Sequence, residues 1–130
     1  MTESQNNQKK ILVTIKESSE AQLEAALDYA EIKLSYAEIK GDDSSEFEIY
    51  AFGNAVGFFV DKKWPIVEKV KGILAEYPRL KIFVCEQSQT LQKGEKLLKN
   101  VEVLNDCDKQ IQRRLDAGWF EFEVGEAGYE

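Results

Sequence analysis

Two cysteines, Cys85 and Cys107, are the residues of this chain best suited to covalent chemistry. Cys85 ends KIFVC, residues 81–85, whose apolar centre and polar continuation are typical of a buried strand. In open parallel α/β sheets, ligands and reacting groups collect at the carboxyl ends of strands. A thiol at that place is positioned for chemistry, but cysteine also serves as a small buried packing residue. Both interpretations of Cys85 stay open on these residues alone.

The composition excludes several other kinds of site. There is no histidine among the 130 residues, which excludes Ser-His and Cys-His catalysis and removes the commonest transition-metal ligand. Two cysteines do not make a four-thiolate zinc site, so we predict no metal site. The net charge of −7 argues against nucleic-acid and anionic-membrane partners. A nucleophile supplied by the protein is therefore a cysteine, a lysine or a carboxylate.

The sequence also lacks the motifs of common cofactor sites. A flavin phosphate site needs a hydroxyl- and glycine-rich loop after the first strand, where backbone N–H groups face the anion. Here that loop is KESSE, residues 16–20, which contains no glycine and has acids at Glu17 and Glu20. Neither G-x-G-x-x-G nor a P-loop occurs. We therefore predict no cofactor.

Length and composition predict one soluble globular domain. The chain has 130 residues, of which 43% are hydrophobic and 32% charged. We expect a disordered segment at residues 1–9, a domain at 10–124 and a tail at 125–130. The first residues lack the apolar core of a signal peptide, and no apolar run is long enough to span a membrane. These features predict a cytoplasmic protein whose two cysteines are reduced at rest.

Apolar periodicity predicts alternating strands and helices. The expected strands are residues 11–15, 47–52, 82–85, 101–104 and 119–124. The expected helices are residues 20–37, 64–77, 89–99 and 106–117, with a short helical turn at 55–60. This order predicts a three-layer α/β/α domain with a mostly parallel five-stranded sheet. In the last strand apolar residues alternate with glutamates, which predicts an edge position.

Four segments carry a resemblance to a known family. They are KILVTI at 10–15, EIYAFGNAVGFF at 48–59, KIFVCEQSQTL at 81–91 and LDAGWFEFEV at 115–124. With the leucine- and alanine-rich first helix, their order and spacing resemble the DsrE/DsrF-like family of small sulfur-relay proteins. The resemblance implies a three-layer α/β fold, trimers or hexamers and, in relay members, a cysteine that carries sulfur as a persulfide. It aligns Cys85 with that cysteine, whereas the loop after Cys85 departs from the family pattern.

The residues after Cys85 are candidates for supporting a thiolate. Ser88 and Thr90 have hydroxyls that donate hydrogen bonds, and Lys93 is the nearest compensating positive charge in the sequence. We expect a functional Cys85 to be partly exposed and more reactive than Cys107.

Cys107 follows the expected fourth strand and precedes the last helix. If the third and fourth strands are parallel neighbours, both thiols lie along one edge of the sheet. Asp106 and Asp108 flank Cys107 and raise a thiol pKa, which makes Cys107 the lesser nucleophile. Its expected role is at most to resolve a persulfide or sulfenate on Cys85 by forming a disulfide. Such a bridge requires Cα atoms within about 7 Å of each other.

Three aromatic residues are candidates for an oligomer interface. Phe58, Phe59 and Trp64 lie close together in the sequence, and a domain of this size does not readily bury all of them. We predict a homo-oligomer with contacts in residues 55–64, although one or both phenylalanines could instead pack into the core.

Three functions are consistent with the sequence. The first is a carrier that takes sulfane sulfur from a donor protein and passes it to an acceptor protein through Cys85. The second is a non-catalytic oligomeric module that binds a small ligand. The third is a redox-responsive protein that uses both cysteines.

Overall fold

The computed structural model describes residues 10–16, 20–41, 45–52, 57–61, 63–85, 96–99 and 101–124. The strands are β1 (Lys10–Lys16), β2 (Glu46–Phe52), β3 (Leu80–Cys85), β4 (Val101–Leu104) and β5 (Phe120–Val124). The helices are α1 (Glu20–Lys40), α2 (Pro65–Glu76) and α3 (Cys107–Asp116).

The five strands form one parallel sheet in the order β4-β3-β2-β1-β5. From β1 to β4 the chain moves stepwise toward one edge of the sheet. It then returns through α3 to place β5 beside β1 at the opposite edge. The three-layer α/β fold and the edge position of the last strand are therefore confirmed.

The larger core lies between the sheet and the two helices α1 and α2. Side chains alternate along a strand, so Ile11, Val13 and Ile15 of β1 point into this core while Leu12 points to the other face. The predicted apolar stripe of α1 is buried there and consists of Leu23, Leu27, Ala30 and Leu34. Burial of this stripe holds α1 on the sheet.

A smaller core lies on the opposite face under α3. Its buried residues are Leu12, Tyr50, Phe83, Cys85, Cys107, Ile111 and Trp119. Among the described helices, α3 alone contributes to it. Both cysteines of the chain are therefore on the face that a single described helix covers.

Several element boundaries differ from the sequence prediction. The first helix continues to Lys40, and Gly41 follows it with a φ of 71°, the left-handed conformation that favours glycine after a helix. Residues 96–99, the part of the predicted 89–99 helix that the structure describes, are not helical. Leu97 instead pairs with Val60 in an isolated antiparallel bridge. The predicted segments 1–9 and 125–130 lie outside the described residues.

None of the helices in the described part of the chain combines the length and apolar character needed to cross a membrane.

Candidate thiol site

Cys85 and Cys107 meet at one edge of the sheet. Cys85 is the last residue of β3 and lies in register with Leu104, the last residue of β4. The chain then enters α3, whose first residue is Cys107. The two Cα atoms are 5.7 Å apart and the two sulfurs form a disulfide. The predicted shared edge and the required Cα distance are both confirmed.

The geometry at the two cysteines corrects one expectation and leaves another open. The sulfurs are joined in this structure because β3 and β4 are neighbours and α3 starts just beyond β4, whereas the reduced state at rest stays a prediction. Cys85 was expected to be partly exposed, but it is 1% exposed and Cys107 is 2% exposed. In the bridged state, neither sulfur is open to a large partner.

The disulfide lies at the carboxyl ends of two neighbouring strands, and the described residues that follow these strands pack on opposite faces of the sheet. After β3, the next described residues include Leu98, which is buried in the core of α1 and α2. After β4, the chain enters α3 on the other face. Such a split at the carboxyl ends of parallel strands is the usual place for ligands and reacting groups in open α/β sheets.

Two opposing electrostatic effects act on Cys107 at the start of α3. Asp106 caps the helix, since its carboxylate accepts a hydrogen bond of 3.1 Å from the Lys109 N–H. Free N–H groups in the first turn favour a thiolate at Cys107. The carboxylates of Asp106 and Asp108 disfavour the thiolate.

A buried polar cluster lies on the same face of the sheet. Glu48 of β2 is 2% exposed. Its carboxylate accepts a 2.5 Å hydrogen bond from the Tyr50 hydroxyl and two hydrogen bonds, of 3.1 and 3.0 Å, from the Arg114 guanidinium. Burial and the hydrogen bond to Glu48 raise the pKa of Tyr50 above its ordinary value. The hydrogen bond to Glu48 also raises the pKa of Arg114.

Aromatic contacts connect this polar cluster with the smaller core that contains the cysteines. The ring of Tyr50 stacks on that of Phe83 with centroids 5.0 Å apart. The guanidinium of Arg114 lies over the Trp119 ring, 5.0 Å from its centroid. Tyr50, Phe83 and Trp119 belong to the same buried cluster as Cys85. Arg114 thus anchors one end of α3, and the disulfide anchors the other.

Sequence reasoning missed the pairing of Glu48 with Arg114. A signal for Glu48 was present, because this glutamate lies between the apolar residues Phe47 and Ile49 in a predicted strand. A charged residue in such a strand needs a partner. Nothing in the sequence distinguishes Arg114 from the other cations as this partner.

The remaining predicted site residues are separated from the thiols or not described. Ser88, Thr90 and Lys93 lie outside the described residues, so their supporting roles stay predictions. Phe59 was predicted at an oligomer interface, but it is 0% exposed in the core because the segment 57–60 folds onto the α1 and α2 side.

The other two predicted interface residues are accessible to different extents. Phe58 is half-buried against the core, and Trp64 is 45% exposed. An interface role for Phe58 and Trp64 stays a prediction.

Other kinds of site receive little support. Within the described ranges, no group of three His, Cys, Asp or Glu residues is arranged to hold a metal ion. A surface pocket of about 250 Å³ lies near the end of α2. Its lining residues are Leu34, Glu38, Tyr77, Pro78 and Arg79. This pocket borders the amino end of β3, whereas Cys85 lies at the carboxyl end.

Comparisons with known proteins identify the fold. No family model matches the sequence. No curated protein matches it either. Among solved structures, the chain is similar to MTH1491 of Methanobacterium thermoautotrophicum, a protein of unknown function, with a TM-score of 0.66 and 17% identity over 87% of this chain and 96% of that one. It is also similar to the ychN protein of E. coli, with a TM-score of 0.61 and 14% identity over 91% of this chain and 99% of that one. These similarities show that the chain shares the α/β fold of these two proteins.

Proposed function

We propose that this protein carries sulfane sulfur on Cys85 and that Cys107 resolves the loaded form. The observation that carries this proposal is the Cys85–Cys107 disulfide at the carboxyl ends of two neighbouring parallel strands. A disulfide between these residues shows that each sulfur reaches the other without rearrangement of the sheet. The DsrE-like fold is consistent with the proposal but does not by itself indicate an activity.

Loading begins from the reduced protein. The Cys85 thiolate attacks the outer sulfur of a donor persulfide, and the donor leaves as a thiolate. Cys85 then holds a persulfide, and no net oxidation has occurred. In transfer, the thiolate of an acceptor attacks the outer sulfur of this persulfide and carries it away, which regenerates the Cys85 thiolate.

Resolution is the alternative fate of the loaded form. The Cys107 thiolate attacks the inner sulfur, the Sγ atom of Cys85, and hydrosulfide leaves. The product is the disulfide seen in the structure. An external dithiol then returns both cysteines to thiols by exchange and is itself oxidised to a disulfide. On this proposal, the bridged protein is the unloaded, oxidised stage of the cycle.

The proposal includes a cytoplasmic location and a homo-oligomeric state, trimer or hexamer. A reducing compartment would reopen the disulfide and restore the loading form. Donor and acceptor proteins would approach the carboxyl edge of β3 and β4. Opening of the bridge would release the first turn of α3 and give them access to sulfurs that are buried in the bridged form.

Intact-mass spectrometry after incubation of the reduced protein with polysulfide tests the proposal. Cys107→Ser is expected to accumulate one additional sulfur that a dithiol removes. The matched variant Cys85→Ser is expected to gain none. The wild type is expected to release sulfide and return to the disulfide. Absence of added sulfur on every reduced form, or sulfur on Cys107 alone, would overturn the assignment of Cys85 as the carrier.

The disulfide also favours a second candidate, a redox-responsive protein without sulfur transfer. Both sulfurs are buried, and the bridge ties α3 to the sheet edge, so reduction would loosen α3. This function predicts reversible changes at α3 on reduction and oxidation, with no added sulfur from polysulfide. The small-ligand module has weaker support, because the pocket beside Tyr77 is at the other end of the sheet from Cys85.

A further inference from the structure

Helix α1 is apolar on two opposite sides. One side is the buried stripe that contains Leu27 and Leu34. On the other side, Ile32 is 65% exposed, Tyr36 is 58% exposed and Ile39 is 81% exposed. We call these three residues the outer face of α1. Exposed apolar clusters on soluble proteins commonly mark contact surfaces.

Helical geometry shows that the outer face is continuous and points directly away from the core. Residues 32, 36 and 39 are separated by four and three positions, so their side chains lie together along one stripe. At 100° per residue this stripe is about 180° from the buried stripe. The surface of this domain therefore contains an apolar ridge that its own described residues leave exposed.

The two flanks of the outer face carry opposite charge. Lys33 and Lys40 lie along one side, and each ammonium approaches a tyrosine ring of the same helix. Glu31 and Glu38 lie along the other side. The repeat Glu-Ile-Lys occurs at 31–33 and again at 38–40, one heptad later. The apolar ridge thus has a basic border and an acidic border over the same two turns.

We propose that the outer face of α1 binds the same face of another copy of this chain, with the α1 helices running parallel around a shared rotation axis. In this arrangement, the basic border of one helix faces the acidic border of the next. Lys33 and Lys40 then approach Glu31 and Glu38 of the neighbouring copy. Ile32, Tyr36 and Ile39 are covered by the same residues of that copy.

Charge decides the orientation of the helices. In an antiparallel pair related by a two-fold axis, each border meets its own equivalent, so lysines face lysines and glutamates face glutamates. Like charges in contact weaken such a pair, whereas opposite charges support the parallel one. This interface differs from the one predicted around Phe58 and Trp64, and it is independent of the proposed sulfur chemistry.

Sedimentation equilibrium of the full chain tests the interface. The wild type is expected to show a mass that is a multiple of 14.9 kDa at micromolar concentration. The double variant Ile32→Glu/Ile39→Glu is expected to sediment as a monomer. Val103→Glu is the control. Val103 is 41% exposed and lies on β4, and β4 and β5 form the two opposite edges of the sheet. Circular dichroism checks that all three proteins stay folded. A monomeric wild type, or an unchanged assembly of the double variant, would overturn the proposal.

Cross-linking through single added cysteines tests the orientation. Parallel helices bring each position opposite itself, so Ile32→Cys and Ile39→Cys are each expected to form a covalent dimer alone on mild oxidation. The wild type, with no added cysteine, is the control for linkage through Cys85 or Cys107. Cross-linking only when the two variants are mixed would indicate antiparallel helices and refute the parallel arrangement.

Discussion

The two faces of the sheet are built in different ways. The face under α1 and α2 buries an almost entirely apolar core, with residues such as Val13, Leu27 and Val70 at 0% exposure. The face under α3 buries fewer apolar residues and contains the disulfide and the Glu48–Arg114 ion pair. On one side, apolar packing holds the helices. On the other, covalent and charged contacts hold the single described helix.

This difference indicates a division between stability and chemistry. Apolar burial over a wide area is insensitive to pH and redox state. A disulfide responds to redox state and a buried ion pair responds to pH, and loss of one ion-pair partner leaves the other charge buried without its counter-charge. Because these groups lie under α3, changes in pH or redox state act on this helix. The apolar core under α1 and α2 maintains the fold.

A core truncation on each face should show the division most strongly. Leu27→Ala removes a fully buried side chain from the larger core and should lower the free energy of unfolding by about 3–4 kcal/mol. Leu115→Ala on α3 removes a partly buried side chain and should cost about 1 kcal/mol. Urea denaturation of both variants measures the difference. Equal losses would contradict the proposed division of roles between the faces.

Loss of the disulfide should have the next largest effect. It joins residues with a sequence separation of 22, so the chain-entropy relation predicts a loss of about 3 kcal/mol on reduction. The double variant Cys85→Ser/Cys107→Ser should lose a similar amount and should not respond to reductant. Hydrogen exchange should rise mainly in the first turn of α3. Equal deprotection of α1 would show that the bridge stabilises the whole domain rather than one helix.

The sequence predicted the sheet well because each strand has a local apolar signature. KIFVC and ILVTI are short apolar runs with polar ends, and the one short strand after them, Val101–Leu104, was also bounded correctly. The end of α1 was placed three residues too early, at residue 37 rather than Lys40. Ile39 therefore lay outside the predicted helix, and the apolar outer face of α1 was missed.

The site was only partly predictable because it depends on contacts between distant residues. Cys85 and Cys107 were identified by type and by their places at strand and helix ends. Their bridged state depends on the three-dimensional approach of β3 to β4, which the sequence allowed but did not require. Phe59 was assigned to an interface because sequence alone does not show which of two adjacent aromatic residues points inward.

The ion pair on the α3 face should be asymmetric. Arg114→Met leaves the Glu48 carboxylate buried without its cation and should cost about 2 kcal/mol, less than a fully buried pair because the Arg114 side chain is 33% exposed. Glu48→Gln should cost less, since an unpaired Arg114 can turn toward water. The double variant completes a mutant cycle measured by urea denaturation. A larger loss for Glu48→Gln would show that Arg114, not Glu48, is the group that depends on the pair.

The Tyr50 hydroxyl should give the smallest effect and a distinct pH signature. Tyr50→Phe removes the hydrogen bond to Glu48 and should cost about 1 kcal/mol near neutral pH, whereas Tyr36→Phe on the exposed outer face should cost almost nothing.

The pKa of Tyr50 is raised in the folded protein, chiefly by burial, so folding favours its neutral form. This contribution to stability is complete at pH values below the pKa of an unfolded tyrosine, about 10. It is lost as the pH rises toward the pKa of Tyr50 in the folded protein. Urea midpoints between pH 8 and pH 11 should therefore fall more steeply for the wild type than for Tyr50→Phe. Parallel pH profiles for the two proteins would show that the Tyr50 hydroxyl is not held neutral by burial beside Glu48.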